Sequence, residues 1–92
     1  MESSQTEQLE RTQNSLIAFL DSDLDLSFTM LETARIATQA GHTEHAHTSI
    51  QRVQRAIELI SHLAKRVEDA DAQQRILERV SELETAVSEL SD

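Results

Sequence analysis

The chain contains no cysteine, proline, tryptophan or tyrosine, and only one glycine, Gly41. Without cysteine there is neither a disulfide framework nor thiolate chemistry, which fits a reducing compartment. Without proline, and with glycine used once, almost nothing along the 92 residues interrupts a helix. Phe19 and Phe28 are the only aromatics, and strand-favouring residues are scattered Ile, Val and Thr. No apolar run approaches the ~20 residues that span a bilayer. The opening "MESSQTEQLERTQ" has neither the basic nor the apolar part of a signal peptide. These absences lead to the expectation of a cytoplasmic, all-α protein of one small domain.

The formal charge of −9 argues against nucleic acid or an anionic membrane as partner, since both require a basic surface. Residues 1–40 carry seven acids and two bases, and residues 68–92 carry eight acids and two bases. Between them, Arg52, Arg55, Lys65 and Arg66 outnumber Glu44 and Glu58. Packed together, the middle segment would relieve repulsion between its neighbours. Ordinary solvated helix faces would give the same distribution, and exposed pairs are worth well under ~1 kcal/mol each.

Three helices follow from periodicity. Ala46, Ile50, Val53, Ile57, Ile60, Ala64 and Val67 recur at alternating spacings of four and three, one helical seam that Ala56 and Leu63 widen. Thr43 is the natural N-cap, Glu44 favours the N-terminal dipole, and Lys65 and Arg66 favour the C-terminal end. Asp69 or Asp71 can cap a third helix with the seam Ile76, Val80, Leu83, Val87 and Leu90. There Arg75–Glu78 and Arg79–Glu82 have the spacing of solvent-side ion pairs. The first helix carries Leu16, Leu20, Leu24, Phe28, Leu31 and Ala34 and ends at Gly41, which suits the left-handed position after a C-terminus. A new start at Ser22-Asp23 is conceivable, but the stripe crosses Leu20-Asp21 without slipping register. The expected fold is an antiparallel three-helix bundle with helices over 5–40, 43–67 and 71–91. Residues 16–92 form the bundle, and residues 1–15 form a polar arm, frayed or a helix extension.

A second apolar set on the first helix, Phe19, Leu26, Met30 and Ala37, lies roughly 120° around from the first stripe. It serves either a second neighbour within the bundle or another molecule. Few aliphatics elsewhere are free to cover it, and this points to an interface with a homodimer mate or a helical protein partner.

The stretch "AGHTEHAHTSI" gathers Gly41 and three of the four histidines. His42 falls in the turn, and His45 and His47, two apart on a helix, point to different sides. His42, His45 and Glu44 are the only set that could approach a metal, and "HTEH" matches no zinc-protease spacing. His62 lies on the polar side of the second helix. "LDSDLDL" places Asp21, Asp23 and Asp25 at alternate positions, as a calcium loop begins. It lacks the central glycine and the glutamate at the twelfth position. One glycine cannot build a phosphate loop, and no serine or threonine stands in a nucleophile motif. No catalytic residue or cofactor is expected. The expected role is a non-enzymatic module for self-association or partner docking; the alternative is a metal- or pH-responsive protein using His42, Glu44 and His45.

The hairpin around Gly41 resembles one tetratricopeptide unit. Ala34 and Ala46 hold that motif's small positions around the turn glycine, Ile50 its aromatic position, Val53 its next small position and Met30 its early bulky one. Thr33 replaces the motif's leucine, no proline closes the second helix, and there is one unit where stacking needs at least three. The microtubule-interacting-and-transport domain, a single three-helix unit, is similar in architecture. "DLDLSFTMLETA", residues 23–34, resembles a stretch of short bacterial helical proteins. These resemblances imply a helical fold and carry over no site residue.

Overall fold

A computed structural model describes the backbone of residues 2–91 and the side chains of residues 7–91. The helices are α1, Glu2–Gln39; α2, Thr43–Ala64; and α3, Ala70–Ser91. They form a three-helix bundle without a strand among the described residues. α1 crosses Leu20-Asp21 unbroken, as a stripe in constant register requires. The molecule measures 60 × 18 × 15 Å. α1 alone, at 1.5 Å per residue, is about 57 Å long, whereas α2 and α3 reach about 33 Å each. The hairpin and the returning helix therefore cover only the C-terminal part of α1. Met1 lies outside the described residues, and Glu7 to Thr12 are exposed.

The core is built where the seams meet. Leu20, Leu24 and Leu31 from α1 pack with Val53, Ile60 and Ala64 from α2 and with Ile76, Val80, Leu83 and Val87 from α3. Each fully buried large aliphatic contributes roughly 1.5–3 kcal/mol relative to exposure. Among the described residues Ser27 is the one buried polar residue, 1% exposed within the α1 stripe. Its Oγ donates to the Asp23 carbonyl at 2.7 Å, so the hydroxyl is satisfied by its own helix.

The α1–α2 turn is a Schellman motif. The His42 N–H donates to the Ala37 carbonyl at 2.8 Å, and the Gly41 N–H to the Thr38 carbonyl at 3.1 Å. Gly41 sits at φ +82°, the left-handed region that a side chain would strain. The expected cap at Thr43 is displaced: His42 occupies the N-cap position without a side-chain cap bond, and Thr43 is already helical. The Schellman bonds fix that choice, since they place His42 between the two helices.

The second connection differs more from expectation. α2 ends at Ala64 rather than at residue 67, because a tight turn takes over: Arg66 N–H donates to the Leu63 carbonyl and Val67 N–H to that of Ala64. Lys65 and Arg66 therefore lie beyond the helix. Val67 stays buried and closes the end of the core from outside regular structure. Asp69 is the N-cap of α3, its Oδ1 accepting from Ala72 N–H at 3.0 Å, with Asp71 in the first turn. Two glutamines complete the junction. Gln13 of α1 donates to the Arg66 carbonyl at 3.1 Å and accepts from the Glu68 N–H at 3.0 Å. Gln73 of α3 donates to the Ala64 carbonyl at 2.9 Å. Backbone groups freed by the end of α2 thus find partners on both other helices.

Candidate functional site

Three places gather side chains with chemistry. At the α1–α2 turn, His42, Glu44 and His45 are all exposed and line a shallow recess with Gly41 and Thr43. They do not converge: among the described residues no three His, Cys, Asp or Glu side chains form a group able to hold a metal ion. His47, also exposed, meets Gln51 one turn on, Nε2 to Nε2 at 3.2 Å. His62 is exposed far along α2.

The second place is the seam between α1 and α3. Arg75 binds Asp21 with both forks, at 2.6 and 3.0 Å, and Arg79 binds Asp25 at 2.6 Å while passing 3.5 Å from Asp21. The Arg79 guanidinium also lies 5.7 Å from the Phe28 ring centre. The i,i+4 spacing is the same on both helices, so two turns of α1 and two of α3 match rung for rung. That match requires the helices to run parallel. It also corrects one expectation. Arg75 and Arg79 turn to α1 rather than to Glu78 and Glu82, because Asp21 and Asp25 share the face that α3 covers. Of the three aspartates at alternate positions, these two are a structural pair and Asp23 lies on another side. The Arg75 hydrogen bonds, opposed by partial desolvation, hold the Asp21 carboxyl below its ordinary value. Among the described residues the ion pairs between helices join the two acidic helices and none comes from the basic residues of α2, while Arg35 pairs with Glu32 within α1 at 3.4 Å.

The third place is the outer face of α1. The apolar set read from the sequence separates here. Ala37 is buried, and Met30 is half-buried against the core cluster. Phe19 and Leu26 remain open, 49% and 55% exposed, and Ile36, absent from the sequence reading, is 58% exposed. These three are joined by hydroxyl residues: Thr12, Ser15, Ser22, Thr29 and Thr33 fill the intervening positions, all exposed. The eight positions alternate at spacings of three and four, a second heptad seam about 36 Å long by the helix rise. No charged residue falls on these eight positions. The threonines spend their donors within the helix: Thr12 on the Gln8 carbonyl, Thr29 on Asp25 and Thr33 on Thr29, at 2.9–3.1 Å. Losing water from this face therefore strands few polar groups. The pattern was present in the sequence, but a search for apolar residues alone passes over a seam with Ser or Thr at five of its eight positions.

This face is turned away from α3, which meets α1 across the helix at Asp21 and Phe28. On α2, Gln54, Ile57, Glu58 and Ser61 border the groove toward Val87 and Ser88 of α3. Leu59, 47% exposed, is carried by the helical step to the other flank of α2, away from that groove. No helix among the described residues is long and apolar enough to cross a membrane. Comparison with protein families, curated proteins and solved structures finds no match to this chain.

Proposed function

We propose that the protein is a non-enzymatic helical association module, working in the cytoplasm, whose docking surface is the outer face of α1. The observation that carries this reading is the uncharged 3,4-spaced seam presenting Phe19, Leu26 and Ile36 to solvent in a chain of net charge −9. Such a stripe is what an incoming helix reads at i, i+3 and i+7 positions. The chain's other reactive groups serve different ends, since Asp21 and Asp25 hold α3 and the turn histidines stand apart.

A photo-cross-linking residue placed at Ser22, between Phe19 and Leu26, tests the reading inside cells. The expected result is an adduct of discrete mass that Leu26→Glu abolishes, with none from the same probe at Ser81 on the exposed side of α3. Absence of any adduct from position 22 would end the docking reading.

A further inference from the structure

We infer that the occupant of this face is a second copy of the same chain, packed parallel and in register, α1 against α1. The inference rests on the docking reading and names its partner. Charge is the first argument. A chain with seventeen acids against eight Lys and Arg repels its own copies almost everywhere. The α1 seam is a long strip where two copies can meet without a like-charge contact. A basic partner would be drawn to the acidic sides of α1 and α3, not to the uncharged one.

The flanks of the seam select the direction. One edge carries Ala18, Asp25 and Glu32; the other carries Asp23, Met30 and Ala37. In a parallel, in-register pair each residue of the first edge meets the residue five further on in the second edge of the other copy. Asp25 then faces the half-buried Met30, Glu32 faces the end of α2 that covers Ala37, and Ala18 faces Asp23. No acid faces an acid. An antiparallel pair centred between Leu26 and Thr29 instead sets Asp25 against Glu32 twice along one flank, a like-charge contact that the intrachain partners Arg79 and Arg35 reduce but do not remove.

The α2 helices complete the contact. A helix stripe 36 Å long and about 10 Å wide offers on the order of 400 Å² per copy, about half of what a standard interface buries. A two-fold axis along the bundle brings the second copy's α2, with its exposed Arg52 and Leu59, onto the flank that bears Asp25 and Glu32. The Gln13–Arg66 and Ala37–His42 hydrogen bonds fix the heights within the hairpin and set Arg52 level with Ser27, between those two acids. The second half of the interface is therefore complementary in charge, with Leu59 adding apolar area.

The test is solution mass of the full chain by light scattering with refractive-index detection, on wild type, Leu26→Glu, Ile36→Glu and Leu77→Glu. Leu77 is 43% exposed on α3, off the seam. The expected result is twice 10.4 kDa for wild type and Leu77→Glu, and 10.4 kDa for both seam variants with helical circular dichroism retained. Ser22→Cys should also close an interchain disulfide under mild oxidation, since the parallel register sets position 22 opposite itself and the antiparallel pair centred between Leu26 and Thr29 sets it opposite position 33. A monomeric wild type at its highest soluble concentration, or a dimer that survives both seam variants, overturns the second copy as occupant. A seam-dependent dimer that fails to link through Cys at position 22 overturns the parallel register. A monomer that still gives seam-dependent adducts from position 22 in cells leaves the docking reading standing with a different helix as partner.

Discussion

Replacing Gln13 tests whether one side chain of α1 holds the α2–α3 junction. Gln13→Met keeps length and helix propensity almost unchanged. It removes a donor 3.1 Å from the Arg66 carbonyl and an acceptor 3.0 Å from the Glu68 N–H. Each such bond is worth about 0.5–1.5 kcal/mol net, and both lie where water can substitute, so the lower end applies. The combined loss is about 1 kcal/mol, or a fall in Tm of about 4–8 °C for a domain of this size. Thermal melts by far-UV circular dichroism at one fixed protein concentration measure it. Gln13→Glu supplies an internal check. It keeps the acceptor, loses the donor, and adds a charge beside Glu10, Glu68 and Asp69, which share one recess with position 13. Those acids raise the folded-state pKa of the introduced carboxyl above its unfolded value of about 4.3. Protonation then favours the folded state and restores the donor. The deficit of Gln13→Glu against wild type should be full at neutral pH and shrink toward pH ~4, while that of Gln13→Met stays constant. A Gln13→Met variant melting within about 1 °C of wild type would refute the reasoning, as would a Gln13→Glu deficit indifferent to pH.

Two further substitutions probe the turn and the α1–α3 seam. Gly41→Ala should cost about 1–2 kcal/mol in urea unfolding, all of it from the backbone at φ +82°, because an added Cβ meets nothing within 4 Å. Gly41→Asn should lose less, and equal stability of Ala and Gly would contradict the left-handed assignment. Asp21 has a depressed pKa, so its ion pair with Arg75 stabilises the fold above the unfolded value near 3.8 and fades as pH falls through the lower folded value. With both partners part-exposed, Asp21→Asn should cost about 0.2–1 kcal/mol at neutral pH, less in high salt, and the gap should close in acid. A gap that persists at low pH would show that something other than charge is lost.

The sequence by itself determined the three helices and most of the core. Alternating spacings of three and four on an α-helix return to one face whatever surrounds them, so Val53, Ile60, Ile76 and Leu83 could be placed inside before any packing was known. Gly41 was equally legible, because only glycine adopts its backbone conformation without strain. What depended on a second helix was not legible. The direction of Arg75 and Arg79, the partners of Gln13 and Gln73, and the early end of α2 are decided across 9 to 55 residues of sequence, where spacing carries no signal. The apolar set on α1 shows the same boundary. Periodicity grouped Phe19, Leu26, Met30 and Ala37, but only the position of α2 could bury Ala37, half-cover Met30 and leave Phe19 and Leu26 in water. Local chain geometry fixes which residues share a face, and only the packing of the helices decides which part of that face remains open.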